Sequence, residues 1–271
     1  MFRTVLVSGG SSGIGLDLAK AYAAKGCNII LLARNTEKLS TAKDQCRQLA
    51  LNEQQKILTF SVDVANKVQL QGCVDAIQQE VIMPDLLILS AGILQSIRFL
   101  DQSDEDFERI LNTNVLGSRA VAKAFLPEMV SQKSGHVCFV GSLASTVSTY
   151  GYSAYSASKF AVLGMAGALR QELHGHGIAV SVLCPPEVDT PMVAAERDHV
   201  LPETRFIKDI GGTIPVSTVT RAAMKGIRRK QYMIVPGIMG KLTYIQARLM
   251  PRTFNWFLQQ MVKLAPRFAK R

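Results

Sequence analysis

No Asp or Glu follows Asp209, although the chain runs on to Arg271. From Ile210 onward there are twelve Lys or Arg. The first 209 residues hold nineteen such cations against twenty-one acids, a net charge of −2. The overall charge of +10 therefore describes a near-neutral body with a basic C-terminal quarter. Cysteine is sparse. Cys27, Cys46, Cys73, Cys138 and Cys184 are odd in number, dispersed, and form no CxxC pair. That pattern excludes a disulfide framework and a zinc-type cluster, and fits reduced, buried thiols in a cytoplasmic-type compartment. The four histidines show no metal-ligand spacing, and His174 and His176 fall at a Gly-rich helix end where a surface role is expected. No metal is expected. No run of about 20 apolar residues is present, so no bilayer-spanning helix is expected. Met1 is followed almost at once by the strand-like Thr4–Val7, so no signal peptide is expected. Long Gly/Ser or Pro-rich linkers and solenoid-period repeats are also missing.

What is present is an alternation of short apolar runs with helical patterns. Strands are expected at Thr4–Ser8, Asn28–Ala33, Ile57–Val62, Leu86–Ser90, His136–Val140, Ala179–Leu183 and Tyr232–Val235. Helices are expected at Gly15–Ala24, Thr36–Leu51, Lys67–Gln79, Asp104–Val130 (with Pro127 a candidate kink) and Ala154–His174. Strands rich in Val, Ile and Leu without alternation are buried on both faces. This predicts a Rossmann-type α/β fold: a doubly wound parallel sheet of about seven strands between two helical layers. One catalytic domain is expected over 1–236, followed by a basic amphipathic extension, 237–271.

The first strand runs into Ser8-Gly9-Gly10-Ser11-Ser12-Gly13-Ile14-Gly15, which opens the first helix. Glycines here let the backbone turn sharply and approach a pyrophosphate, whose charge suits a helix N-terminus. Gly9, Ser11, Ser12, Gly13, Ile14 and Gly15 are the candidate phosphate contacts. The second strand ends at Arg34, with Lys38 one turn on, where an NAD site usually carries an acid. A cation there suits a 2′-phosphate, so NADP(H) is expected. The alternative is that Arg34 merely solvates a strand end. Asp63 and Val64, after the third strand, are placed for an adenine, and Ala91-Gly92, after the fourth, for close backbone approach. Either pair could be ordinary turn chemistry.

Tyr155 and Lys159 are four residues apart on an expected helix, so they share a face. A phenol normally titrates near pH 10, and a neighbouring ammonium together with the positive nicotinamide ring is expected to bring it down. Tyr155 then serves as the proton donor to a carbonyl oxygen, and Lys159 also holds the nicotinamide ribose. Ser142, just past the fifth strand, polarises the carbonyl, and Asn114 holds a water that relays protons from Lys159. Taken singly, a Tyr/Lys pair can be a surface pair and Ser142 a helix cap.

Together these motifs resemble the short-chain dehydrogenase/reductase family over essentially Thr4 to Pro236. The resemblance implies hydride transfer from a nicotinamide to a carbonyl, a seven-stranded sheet, and homodimers or homotetramers formed through the long helices. It also implies that Val188 and Thr190 meet the carboxamide. Three positions depart from the family pattern: Ser8 for Thr, Leu89 for Asn, and Pro185-Pro186 for Pro-Gly. Within the family the chain is most similar to the 3-ketodihydrosphingosine reductases. That likeness rests on Ala33-Arg34-Asn35, the Ala154–Ala161 segment, Pro185–Pro191 and Glu203-Thr204-Arg205. Eukaryotic members begin with a membrane helix that is not seen here, so a cytoplasmic or peripherally bound relative is expected.

In the tail, Phe254, Phe257, Leu258 and Met261 recur at helical spacing, as do Leu242, Ile245 and Leu249. Trp256 flanks the stripe, with Arg252, Lys263, Arg267, Lys270 and Arg271 around it. Such a stripe either lies in an anionic bilayer interface or packs over the active-site mouth. Nucleic acid is not an expected partner. The leading expectation is an NADPH-dependent reductase of a hydrophobic 3-oxo lipid, best exemplified by 3-ketodihydrosphingosine. A reductase or dehydrogenase of steroids, retinoids or other ketones remains open, as does a catalytically silent, nucleotide-sensing scaffold at a membrane.

Overall fold

The computed structural model describes residues 2–80 and 82–268, with side chains described as far as Ala265. Its centre is a parallel sheet of β1 (Thr4–Ser8), β2 (Asn28–Ala33), β3 (Ile57–Ser61), β4 (Leu86–Leu89), β5 (Gly135–Val140), β6 (Ile178–Leu183) and a short last strand. Two two-residue strands, β7 (Glu187–Val188) and β8 (Thr213–Ile214), pair only with each other. The last strand of the main sheet is thus β9 (Met233–Ile234). The main order is β3-β2-β1-β4-β5-β6-β9, every pair parallel. The order reverses between β1 and β4, and a crevice opens there beyond the strand ends, where ligands bind in such sheets.

Alternate residues of each strand face opposite layers. Val5 and Val7 of β1 join the core under α1 (Gly13–Ala23), α2 (Thr36–Gln48) and a helix from late in the chain, α9 (Val216–Arg228). Leu6 joins the other core, under α3 (Lys67–Gln79), α5 (Ser118–Ser131) and α6 (Ser153–Glu172). Both faces are covered, so each strand could be an unbroken Val/Ile/Leu run. All five cysteines are buried as free thiols.

The segment expected to be one helix over Asp104–Val130 is instead three pieces. Helix α4 (Asp104–Leu111) passes into a wider π-type turn, Asn112–Gly117, and α5 continues from it, running through Pro127 unbroken. A π turn displaces the chain by one residue and re-aims the helix beyond it. At Gly117 a Cβ would lie 2.6 Å from Val64 Cγ2, so only glycine lets this turn rest against the loop after β3.

After β6 the chain forms α7 (Pro191–Glu196), α8 (Pro202–Gly211) and then α9, none of them anticipated from the sequence. The tail is two helices, α10 (Ile238–Leu249) and α11 (Pro251–Phe268), and α11 packs on α8. The expected tail cations Lys270 and Arg271 lie outside the described residues, as does the side chain of Arg267. No described helix is long and apolar enough to cross a membrane.

Candidate active site

A cavity of about 660 Å³ opens at the C-terminal ends of the strands, at the point where the sheet order reverses. Its first wall is the glycine turn. Gly9 and Gly10 both donate to Leu32 O, at 2.8 and 3.2 Å, which folds the turn over the end of β2. Gly9 has φ +69°, and a Cβ there would sit 2.7 Å from Ala91 N, so the turn after β1 and the loop after β4 touch through bare backbone. Gly15 does not line the cavity. It packs from behind, where a Cβ would lie 2.4 Å from Gly9 O. Ser12 precedes α1 without capping it through its side chain, so the helix presents its N–H groups and positive dipole end to the cavity. These features fit a dinucleotide pyrophosphate: a cradle that a Cβ would fill, and a helix start suited to an anion.

Arg34 and Lys38 line the cavity with Asn35 between them. Asn35 caps α2 by accepting from Lys38 N at 2.7 Å, and Ser61 Oγ donates to Arg34 O at 2.9 Å. The strand end is thereby fixed with two cations beside it. Asp63 and Val64 are also in the wall, but one Asp63 oxygen accepts from Ala65 N at 2.9 Å in ordinary Asx-turn fashion. Ala91 and Gly92 line the middle of the cavity, and Val188 and Thr190 the opposite side. Pairing of β7 with β8 holds that side, and Thr190 caps α7.

Tyr155, Lys159 and Ser142 meet in the same cavity. Lys159 Nζ donates to Val140 O at 2.9 Å and stands 5.6 Å from the centre of the Tyr155 ring. Ser142 caps a short turn, accepting from Ala144 N at 3.1 Å, and its hydroxyl also hydrogen-bonds Tyr155. It is a cap and a site group at once.

Burial dominates the electrostatics of this pair. Burial pushes Tyr155 up to about 12, against the pull of the Ser142 hydrogen bond and with the Glu196 carboxylate adding to the rise. Burial also brings Lys159 down to about 8. At 5.6 Å, across the ring face, the ammonium does not offset the loss of solvent around the phenol. Tyr155 therefore rests as a neutral phenol, a form able to give a proton.

Asn114 stands behind the cavity wall. It is buried in the π turn and does not line the cavity. Its amide donates to Ile93 O and Ser158 Oγ, both at 2.9 Å, and its oxygen accepts from Ile93 N at 2.8 Å. It fixes the loop after β4 beside Gly92, where a Cβ would lie 3.2 Å from Asn114 Oδ1 and 3.7 Å from Lys159 Nζ.

A second cluster, not foreseen from the sequence, stands beside Tyr155. Tyr152, at the N-cap of α6, meets the Tyr155 ring edge-on, with centroids 5.4 Å apart. Its hydroxyl donates to Glu196 of α7 and accepts from Lys208 of α8 at 3.0 Å. Lys208 also reaches Glu196 and Glu187, each at 2.6 Å, and Arg205 joins Glu187 at 3.2 Å. No local motif marks these residues, which lie up to 56 positions apart.

The family model described as short chain dehydrogenase matches residues 3–201. The chain belongs to this family. Among curated relatives, it is 36% identical over 222 residues to the 3-ketodihydrosphingosine reductase of Bos taurus. That match covers 82% of this chain and 67% of the relative. It is 35% identical over 247 residues to the 3-dehydrosphinganine reductase TSC10B of Arabidopsis thaliana, covering 90% and 72%. In structure it is similar to a variant of actinorhodin polyketide ketoreductase crystallised with NADPH. There the TM-score is 0.79 and the identity 26%, over 88% of this chain and 97% of that one. A short-chain dehydrogenase from Streptomyces avermitilis, 23% identical, shares the fold with a TM-score of 0.77 over 93% and 96%.

The departures from the short-chain dehydrogenase pattern have local substitutes. Ser8 is buried and its hydroxyl accepts from Ala91 N at 3.4 Å, joining the ends of β1 and β4. Leu89 is absorbed into the apolar core with Val121 and Phe125. Pro186 is backed by α10, where a Cβ on Gly240 would contact its ring at 3.4 Å.

Proposed function

We propose that the chain reduces the keto group of a hydrophobic 3-oxo lipid with NADPH, with 3-ketodihydrosphingosine as the substrate and dihydrosphingosine as the product. One observation carries this reading. Tyr155, Ser142 and Lys159 open into a cavity whose far wall, built from α8, α10 and α11, is largely apolar. The names of the curated relatives support the same substrate class.

The bound nicotinamide supplies the hydride. The chain's own part is to hold the carbonyl and deliver a proton. Ser142 hydrogen-bonds the carbonyl oxygen, and Tyr155, a neutral phenol at neutral pH, passes its proton to that oxygen. Lys159, 5.6 Å from the centre of the Tyr155 ring, balances the charge left on the phenol. Arg34 and Lys38 receive the 2′-phosphate, which suits NADP(H) over NAD(H). Asn114 acts by fixing the loop that carries Gly92. We read 1–236 as the catalytic unit and 237–271 as an addition that completes its substrate side.

Helix α10 turns Ile238, Leu242, Ile245 and Leu249 to solvent, flanked by Lys241 and Arg248. We assign this face to peripheral contact with an anionic bilayer, from which a lipid could enter directly. Leu116 and Phe160, exposed on the π turn and α6, are the apolar groups through which copies of the chain would pair as a dimer or tetramer.

The test is NADPH oxidation against 3-oxo sphingoid, 3-oxoacyl and steroid ketones, with the wild type and Tyr155→Phe. The wild type should turn over the sphingoid best. The variant should lose at least about 100-fold in kcat while still binding NADPH. A preference for steroids would refute the substrate, and undiminished turnover by the variant would refute Tyr155 as the acid.

A further inference from the structure

We infer that α11, with α8 beside it, forms a binding site for the alkyl chain of the substrate and sets its preferred length. The inference rests on the proposed reductase activity and extends it to residues outside the region matched by the family model, 3–201.

Helices α10 and α11 are rich in cations and hold no acid, yet among the described side chains the face they turn to the cavity carries no charge. Lys241, Arg248, Arg252 and Lys263 are all absent from its lining. What α11 contributes instead is Phe254, Phe257, Leu258 and Met261, spaced i, i+3, i+4, i+7 on one face. Across from them α8 contributes Ile207 and Ile210. The two neutral polar groups in this part of the wall, Thr243 and Gln246, come from α10. Lys208 is the charged side chain that α8 turns toward the cavity. Its ammonium is already shared among Glu187, Glu196 and Tyr152, so it offers no open anion site. A ligand end that meets only these groups must be apolar, and it is continuous with the space holding Tyr155. A ketone at Tyr155 with a long hydrocarbon tail fits both ends.

The wall is also kept in register with the chemistry. Lys208 and Arg205 of α8 are anchored to Glu187, and Lys208 further to Tyr152 beside Tyr155. Helix α11 packs on α8. The distance from the reacting carbonyl to the apolar end is thus set by a chain of buried ion pairs and packed helices. Chain length, not only apolar character, should be read.

The experiment compares kcat/KM for 3-oxo sphingoid analogues with hexyl, dodecyl and octadecyl chains. In the wild type it should climb with length, approaching about fourfold for each methylene that the wall fully buries. Phe254→Ala with Leu258→Ala should cut the octadecyl-to-hexyl ratio by at least about tenfold and leave the hexyl value within about twofold. Phe257, 49% exposed, can be changed to Ala without opening a core cavity and should move the ratio in the same direction. A ratio unchanged in both variants, or hexyl and octadecyl values falling in parallel, would overturn the site.

Binding to the protein without a ketone keeps this test separate from the reductase activity. Trp256 is the sole tryptophan and neighbours Phe257. Dodecanol should shift its fluorescence saturably, butanol should not, and Phe257→Ala should weaken the dodecanol response. If that response is seen but no sphingoid ketone is reduced, the function is wrong and the chain site stands. If it is missing, the chain site is wrong.

Discussion

Tyr152 holds the Tyr155 ring edge-on at 5.4 Å while its own hydroxyl is bound from both sides, by Glu196 and by Lys208. The two tyrosines are three residues apart at the start of α6, yet the partners of the first come from α7 and α8. Tyr155 and the helices α7 and α8 are therefore joined through a single phenol. Tyr152→Phe keeps the ring contact and removes the hydroxyl, leaving one oxygen of the buried Glu196 carboxylate without its donor while Lys208 still holds the other. The variant should lose about 1–3 kcal/mol of stability. It should also lower kcat roughly tenfold, because α7 and α8 loosen around the substrate. Affinity for NADPH should stay unchanged. Thermal melts, kcat and cofactor titration check the three parts separately, and hydrogen exchange over 191–211 should quicken.

Arg34 stands at the end of β2 with its backbone fixed by Ser61. Replacing it by Glu puts a carboxylate where ribose hydroxyls can be met and a 2′-phosphate is repelled. Arg34→Glu should weaken NADPH binding by about 10- to 100-fold and strengthen NADH binding, read as the ratio of the two dissociation constants.

The pH dependence of reduction comes from the two buried groups at the site. Lys159, brought down to about 8, loses its proton as pH rises through that value. Tyr155, up at about 12, remains a phenol throughout the working range. For the free enzyme, kcat/KM should therefore fall above pH about 8 through loss of the ammonium, not of the phenolic proton. Lys159→Arg, which cannot titrate there, should flatten that limb at a lower plateau.

His136 gives a stability prediction away from the site. It is buried in β5, paired with Ser181 Oγ at 2.8 Å, and burial brings it down to about 4 from its ordinary 6.5, with Lys230 adding to the shift. Between these values the unfolded chain binds a proton that the folded chain does not, so stability falls as pH is lowered through this window. The full loss is of the order of 3 kcal/mol. Denaturant titrations at pH 7, 5.5 and 4 should show the decline, and His136→Gln should remove most of its slope.

Much of this molecule is legible in the sequence because local rules govern it. The inner strands β1, β2, β4, β5 and β6 are buried on both faces, so each is an apolar run that announces itself, and even the half-exposed edge strand β3 keeps Ile57, Leu58 and Phe60. The glycine turn and the Tyr155/Lys159 pair are set by contiguous residues. Long-range geometry hides the rest. Leu111–Ser118 is rich in weak helix formers (Asn112, Thr113, Asn114, Gly117, Ser118), but that composition does not specify the wider turn at Asn112–Gly117, which tertiary contact with Val64 permits. Glu187, Glu196 and Lys208 look like scattered surface charges until folding gathers them around Tyr152. The tail stripe reads equally as interfacial or packed. The structure divides it: α11 faces the cavity, while α10 leaves Ile238, Leu242, Ile245 and Leu249 outward. Spacing along a helix says nothing about desolvation, so the rise that burial imposes on Tyr155 was not legible in the sequence.

Gly117 gives the cleft a property that neither of its ends has alone. The bare backbone of the π turn rests on Val64, which lines the cavity, while Asn114 in the same turn clamps the loop beside Lys159. A side chain at position 117 wide enough to part Val64 from the turn should disturb the Asn114 clamp as well, so Gly117→Ala is expected to change nucleotide affinity and turnover together.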